Sequence, residues 1–85
     1  MPKVSSAPAS EPLSGLRPGD IATIVGLHTA DDALRQRLLA LGMRTGKTII
    51  IMRQAPFGGP LQVRLGSTDL LIRTNEADKI SVRKT

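Results

Sequence analysis

Residues 41–50, LGMRTGKTII, contain the Gly-Lys-Thr with which a phosphate-binding loop ends. That loop requires a glycine, four residues and then Gly-Lys-Ser/Thr, so that successive backbone N–H groups surround the phosphates. Here only three residues separate Gly42 from Gly46. The segment before Gly42 is typical of a helix and the segment after Lys47 of a strand, so no helix N-terminus would face the anion. We interpret the stretch as a helix C-cap followed by a tight turn. A nucleotide-binding enzyme therefore ranks last of three hypotheses for the function.

His28 is the single histidine, and it precedes Asp31 and Asp32, with Thr29 as the nearest hydroxyl. Nucleophilic catalysis needs a nucleophile and a base that a third group orients, whereas loop polarity and helix capping already explain these side chains. We therefore predict no enzyme, no catalytic residue and no cofactor. A facial Fe(II) site needs two histidines and one carboxylate. One chain offers at most a partial site, or half of one shared across a dimer, so we predict no metal ligands.

Length and composition predict one small domain. Residues 1–12 are rich in Pro, Ser and Ala and nearly lack large apolar side chains, which is typical of a disordered tail, so the domain is assigned to residues 13–85. The chain has no cysteine, which fits a reducing cytoplasm. No apolar run approaches the roughly 20 residues of a membrane-spanning helix. We predict a soluble cytoplasmic protein.

The formal net charge of +5 raises nucleic acid and anionic membranes as partners. The basic residues are scattered from Arg17 to Lys84 without a run of more than two, and Phe57 is the only aromatic residue. Stacking platforms for bases are therefore lacking. A solvated, mildly basic surface explains the charge, and binding of nucleic acid by a small basic barrel remains the alternative function.

Periodicity predicts a mainly β fold with one short α-helix. Alternating apolar residues favour five strands near residues 21–26, 47–55, 61–65, 69–73 and 80–84. A helix near residues 29–42 lies between the first two strands, capped by Thr29 or Asp31 and ended by Gly42. Residues 74–79 favour a single helical turn capped by Thr74 or Asn75. Five short strands with tight turns predict a small barrel, which leaves few sheet edges uncovered.

In this order the motifs resemble those of the ferrous iron transport protein A (FeoA) family. The resembling segments are LRPGDIATIVGL, LRQRLLALGMRTGKTIII, QAPFGGPLQVRL and TDLLIRTNEADKISV. In the family pattern LGMRTGK joins the helix to the second strand, so the Gly-Lys-Thr is accidental. The resemblance implies an SH3-like barrel of about five strands.

The resemblance also implies a partner rather than a reaction. Family members accompany a FeoB-type membrane transporter for Fe(II), which has a cytoplasmic GTPase domain, and they are expected to support or regulate it. The protein would then serve iron homeostasis and lie peripheral to the membrane through its partner. Its connection with transition metal ion binding would come only through the transport of Fe(II). A weak homo-oligomer is compatible with this expectation, and nucleic acid is not an expected partner.

Five residues are candidates for binding the partner: Phe57, Leu39, Met43, Met52 and Arg35. Phe57 lies at a hairpin tip, where it would either anchor a partner or fold back over the barrel mouth. Met43 and Met52 would line a groove or fill the core. Leu38 and Leu39 diverge by about 100° on a helix, so one of the two can belong to an exposed apolar patch. Arg35 would add an electrostatic rim.

Overall fold

The structure is a computed structural model that describes residues 10–85. Within these residues the elements are β1 (Glu11–Pro12), a 3₁₀ helix (Leu13–Gly15), β2 (Ile21–Leu27), α1 (Asp32–Ala40), β3 (Thr48–Gln54), β4 (Leu61–Leu65), β5 (Thr68–Ile72), α2 (Thr74–Ala77) and β6 (Ile80–Lys84). The predicted mainly β fold with one short α-helix is confirmed. The five predicted strands correspond to β2 through β6.

The strands form one antiparallel sheet in the order β1-β6-β2-β3-β4-β5. Consecutive strands β3, β4 and β5 are neighbours because short hairpin loops join them. The chain then passes through α2 and returns on the far side of β2 as β6. This order leaves β1 and β5 at the two edges of the sheet.

The folded chain begins before the predicted boundary at residue 13. Glu11 pairs with Val82 and Pro12 with Ser81, so these two residues extend the sheet as β1 instead of belonging to a tail. Leu13, which is fully buried, follows directly, and both it and the nearly buried Leu16 belong to the core. The expectation for residues 1–9 lies outside the residues that the structure describes.

The core is filled by aliphatic side chains from the inner face of the sheet and from both helices. The buried residues are Leu13, Leu16, Ala22, Ile24, Leu38, Met43, Ile49, Ile51, Leu61, Val63, Ile72, Ala77, Ile80 and Val82. Ile49 and Ile51 on β3 and Leu61 and Val63 on β4 alternate with outward residues, as the period of a strand requires. Full burial of each large aliphatic side chain stabilises the fold by roughly 1.5–3 kcal/mol.

Two β-bulges adjust which residues face this core. In β3 the register shifts by one residue between Ile51, which is opposite Val63, and Arg53, which is opposite Gln62. Met52 is the extra residue, and its side chain is 38% exposed. If Met52 took a regular paired position instead of bulging, simple alternation would turn Arg53 inward beside Ile51. A second shift, between Ile24 and Gly26 of β2, allows the chain to continue along β6.

Helix α1 begins and ends with side-chain and backbone caps. Asp31 is the N-cap, and its Oδ1 accepts a hydrogen bond of 3.2 Å from the N–H of Leu34. At the other end Gly42 has a φ of 95°, and its N–H donates to the Leu39 carbonyl at 3.0 Å. The N–H of Met43 reaches the Leu38 carbonyl, also at 3.0 Å. These two bonds form a Schellman motif.

The same motif overturns one predicted docking residue. It turns the chain back beneath the helix immediately after Gly42, so the side chain of Met43 enters the core and is 0% exposed. Met43 cannot contact a partner from there, and the prediction that it binds one is wrong. Its role is the core filling that the sequence allowed as the other reading.

Candidate docking surface

Phe57 lies at the tip of the β3–β4 hairpin and points into solvent, with a relative exposure of 104%. The N–H of Gly59 donates to the Pro56 carbonyl at 3.2 Å, which closes a turn around Phe57 and Gly58. These two central residues have φ angles of 59° and 73°, the signs found in a type I′ turn. The expectation that Phe57 folds back over the barrel mouth is therefore wrong, and its ring is free to act as an anchor.

The hairpin loop is held to the rest of the domain by Thr74. The hydroxyl of Thr74 lies 2.8 Å from the Gly58 carbonyl and 2.9 Å from the Gly59 carbonyl. The prediction that Thr74 or Asn75 caps α2 is wrong. Arg73 is the N-cap residue, and its N–H donates to the Glu76 carboxylate at 3.2 Å. The threonine hydroxyl is thus available for the hairpin.

The loop also has a close backbone approach at Gly59. A Cβ atom at this position would lie 2.6 Å from the Cβ of Ala55 and 3.2 Å from the carbonyl oxygen of Pro56. Side chains do not fit at such separations, so Gly59 allows the two arms of the loop to meet. The N–H of Ala55 donates to the Pro60 carbonyl at 3.1 Å and closes the loop.

Leu71 on β5 is the second strongly exposed apolar side chain, at 71%. It contributes to the wall of a groove of about 680 Å³ together with Pro60 and Arg73, and to the wall of a smaller hollow of about 200 Å³ together with Pro60 and Arg53. Leu71 and Pro60 thus separate two depressions beside the hairpin loop. We define Arg53, Phe57, Pro60, Leu71 and Arg73 as the hairpin surface.

The other predicted docking residues lie away from this surface or at its margin. Met52 is partly exposed at the β3 bulge, directly before Arg53. Leu39 is half-buried on α1, whereas its neighbour Leu38 is fully buried, as the divergence of adjacent helical residues requires. Arg35 is half-buried, and its Nη2 donates to the Thr29 carbonyl at 2.6 Å. The structure does not unite the five predicted residues in one site.

A charged cluster lies on the outer face of β4 and β5 next to Leu71. Arg64 donates to Asp69 from Nε at 2.8 Å and from Nη2 at 3.2 Å, and the amide of Gln62 donates to the same carboxylate at 3.0 Å. The hydrogen bonds from Arg64 and then Gln62 lower the pKa of Asp69, and the bond to Asp69 raises the pKa of Arg64. The carboxylate of Asp69 is thereby paired with neighbouring side chains of the sheet.

Arg53 and Arg73 differ from Arg64 in this respect. The ion pairs found among residues 10–85 join Arg37 to Glu76, Arg64 to Asp69 and Lys84 to Asp20. Arg53 and Arg73 take part in none of them, and both are exposed. The hairpin surface therefore presents apolar side chains between two cations that have no acidic partner in the described part of the chain.

The backbone N–H groups of the Gly-Lys-Thr turn form hydrogen bonds within the fold. The N–H of Gly46 donates to the Ile24 carbonyl at 2.8 Å, and the N–H of Lys47 donates to the Arg44 carbonyl at 3.1 Å. A phosphate-binding loop needs such N–H groups to converge on the anion. Since α1 precedes the turn and β3 follows it, the interpretation of this stretch as a helix C-cap and turn is confirmed.

His28 and its neighbours also have structural roles. The N–H of His28 donates to the Lys79 carbonyl at 2.7 Å, and the imidazole lies against Gly26, where a Cβ would be 3.3 Å from Nε2. Asp31 caps α1, and its own N–H donates to the Thr29 hydroxyl at 3.0 Å. Residues 10–85 contain no group of three or more His, Cys, Asp or Glu side chains arranged to hold a metal ion.

Comparisons with known proteins agree with this architecture. Residues 11–84 match the FeoA domain family. The chain is 36% identical over 70 residues to the Fe(2+) transport protein A/Fe(2+) transporter FeoB fusion protein of Porphyromonas gingivalis strain W83. That match covers 82% of this chain and 8% of the relative, so the chain spans only a small part of the fusion protein.

Two solved FeoA structures have the same fold. FeoA of Chlorobium tepidum is 37% identical, with a TM-score of 0.78 over 86% of this chain and 69% of the other. FeoA of Stenotrophomonas maltophilia, solved with zinc and described as an SH3 domain protein, is 31% identical, with a TM-score of 0.73 over 84% of this chain and 87% of the other. The predicted SH3-like fold is thereby confirmed. Within residues 10–85 no helix has the length and apolarity needed to cross a membrane.

Proposed function

Because the chain belongs to the FeoA domain family, which is linked to ferrous iron transport, we propose that it is a non-enzymatic cytoplasmic accessory protein that docks on a FeoB-type Fe(II) transporter. It would bind the cytoplasmic GTPase domain of that transporter, through the hairpin surface, and support or regulate uptake. The protein would act through binding, without a catalytic residue or a cofactor of its own.

The observation that carries the proposal is the Porphyromonas gingivalis relative, in which FeoA and FeoB are one polypeptide. A covalent linker gives two modules a high local concentration, so a fused pair needs little affinity of its own. Whether or not it is covalently linked to its partner, a module that acts through contact needs a surface that binds the partner specifically.

The hairpin surface has the properties of such a binding site. Interfaces derive most of their energy from a few buried apolar or arginine side chains surrounded by weaker contacts. Phe57 is the only aromatic residue of the chain, and it is fully exposed at a loop that Thr74 holds in place. Leu71 and Arg73 lie in the adjoining groove. A partner that covered these residues would remove a substantial apolar area from water.

We expect Phe57→Ala to weaken binding to the GTPase domain of the cognate transporter by about tenfold or more, as truncation of a central aromatic anchor does. Calorimetric titration of the full chain, with and without guanine nucleotide, would measure the change. Ile21→Ala is the control, since Ile21 is also an exposed apolar residue, at 42%, but lies on β2 opposite Ile50.

Leu39→Ser tests the other predicted face. If this variant weakens binding while Phe57→Ala has no effect, the partner docks on α1 and the assignment to the hairpin surface is wrong. Absence of saturable binding to both the GTPase domain and the complete transporter, in every nucleotide state, would contradict the proposed function itself.

A further inference from the structure

Strand β5 forms one edge of the sheet, and its outer side has no backbone partner among residues 10–85. It pairs only with β4, in the register Leu61↔Ile72, Gln62↔Leu71, Val63↔Leu70, Arg64↔Asp69 and Leu65↔Thr68. An unpaired strand edge presents N–H and C=O groups that can accept a further strand. The hairpin surface lies beside this edge, because Leu71 belongs to both.

The register shows which backbone groups are free. Gly66 and Ser67 form a two-residue turn, and Gly66 has a φ of 64°. A two-residue hairpin is closed by a hydrogen-bonded pair, here Leu65 and Thr68, and hydrogen-bonded pairs then alternate along the ladder. The backbone groups of Thr68, Leu70 and Ile72 therefore point toward β4. Those of Asp69 and Leu71 point away from it, toward the free edge.

The free edge ends at Leu71. The N–H of the next outward residue, Arg73, donates to the Glu76 carboxylate, and its carbonyl accepts from Glu76 and Ala77 at the start of α2. Asp69 and Leu71 thus supply two N–H donors and two carbonyl acceptors, which suits a short segment in an extended conformation.

Charge and shape indicate the chemistry of that segment. Arg53 and Arg73 flank Leu71 in the two depressions and have no acidic partner in the described chain, whereas the nearby Asp69 is bound by Arg64. The side chain of Asp78, also in the larger groove, accepts a hydrogen bond from Ser14. An apolar side chain would cover Leu71 and Pro60, and acidic side chains would reach the two arginines.

We propose that the docking element of the partner is an extended segment with an apolar residue flanked by acidic residues, which adds to the edge of β5 as a further strand. The inference rests on the proposed function, because it names the element by which the cytoplasmic part of the FeoB-type transporter would bind. Backbone pairing with Asp69 and Leu71 fixes the register of the segment, and the hairpin surface selects its side chains.

Amide hydrogen exchange tests this arrangement residue by residue. The ¹⁵N-labelled full chain is measured by NMR alone and with a saturating amount of the GTPase domain of the cognate transporter. Strand addition protects the amides of Asp69 and Leu71 by about tenfold or more, since each gains a hydrogen bond that must open before exchange. The amide of Leu70 already bonds to β4 and is the internal control, with little change.

A charge variant tests the chemistry of the segment. The double variant Arg53→Gln, Arg73→Gln weakens binding about fivefold or more, and the effect shrinks at high salt. Arg17→Gln, Arg83→Gln is the matched control, since it removes the same net charge from exposed arginines outside the hairpin surface.

The outcomes separate the two proposals. Binding without added protection at Asp69 and Leu71 overturns strand addition and leaves the docking function standing. Absence of binding overturns both. Protection of the two amides that rises with the concentration of this chain alone shows that a second copy pairs with β5, and it likewise overturns the assignment of the edge to the transporter.

Discussion

Phe57 combines two features that are unfavourable in an isolated chain. Its ring is fully exposed, and its backbone has the positive φ that a bulky side chain disfavours by roughly 1–2 kcal/mol. No contact of the ring with the described residues offsets this cost, because the ring lies in solvent. A strained residue of this kind is a reason to look for function at the same position, and the function that we propose for it is contact with another molecule.

We therefore expect Phe57→Asn to stabilise the domain by about 0.5–1 kcal/mol while it abolishes docking. Asparagine tolerates positive φ, and an asparagine followed by Gly58 is the preferred sequence of a type I′ turn. Urea denaturation monitored by circular dichroism would show the gain as a higher midpoint. Phe57→Ala is the control, because alanine removes the ring without easing the backbone. Equal midpoints for all three proteins would show that the turn is not strained.

At the residue scale the sequence indicated Phe57 but not Leu71. Residues 56–60, PFGGP, place two glycines between two prolines, and these residue types identify a hairpin tip. Leu71, in contrast, lies in a run of three apolar residues, 70–72, and period-2 alternation needs polar neighbours to show which side chains face outward. Met43 was misplaced for a related reason, since its direction depends on the φ of the preceding glycine, which the residue type permits but does not fix.

At the scale of elements, the connection from α1 to β3 contains two glycines with nearly equal backbone conformations. Gly42 has a φ of 95° and Gly46 a φ of 94°. Their surroundings differ. A Cβ at Gly42 would lie 2.8 Å from Cδ2 of Leu65, whereas nothing lies within 4 Å of one at Gly46. The cap that follows α1 thus packs against β4 at Gly42, whereas a side chain at Gly46 would meet no neighbouring atom.

This difference gives a matched pair of substitutions. Gly46→Ala should lower the free energy of unfolding by about 1 kcal/mol, through the unfavourable φ alone. Gly42→Ala should lower it by about 1 kcal/mol more, because Leu65 must also move. Thermal and urea unfolding of both variants would measure the difference. If the two variants were equally stable, the contact between the helix cap and β4 would be unimportant.

The positions of the long strands and of α1 were largely predictable from the sequence, whereas the short strand β1 and the contacts of Thr74 were not. Alternation placed the five long strands, and Asp31 and Gly42 marked the ends of α1. The strand Glu11–Pro12 was not predicted, because two residues carry no periodic signal. Its pairing with β6 is formed by residues about 70 positions apart. Thr74 looked like a helix cap because its hydroxyl is equally suited to that role, and only the folded hairpin shows which carbonyls it meets.

At the scale of the whole molecule, the net charge of +5 is distributed rather than concentrated. Arg37, Arg64 and Lys84 are joined to acidic side chains on three different parts of the domain. A nucleic-acid surface combines a continuous basic stripe with aromatic stacking platforms, and the single aromatic residue lies at the hairpin tip. The distributed charge makes the whole surface mildly basic, which accords with the proposal that the docking segment of the partner is acidic.

We expect no saturable binding of single-stranded or duplex oligonucleotides at an ionic strength of about 0.15 M, where exposed charges farther apart than about 8 Å are largely screened. Fluorescence anisotropy of labelled DNA and RNA would test this, with low-salt buffer as the positive control for weak electrostatic association. Submicromolar binding at the higher salt, with a steep dependence on salt concentration, would instead support the nucleic-acid function.

The bulge at Met52 has a consequence for how this segment tolerates change. The extra residue keeps Arg53 on the outer face, beside Leu71, although Ile51 two positions earlier faces the core. The side chain at position 52 matters little to that geometry, because the bulged residue has no partner on β4. Deletion of this codon would leave Arg53 directly after Ile51 and still opposite Gln62, so the strand would keep its two faces and lose only the local bend that the bulge produces. What this residue supplies to the segment is therefore curvature rather than pairing.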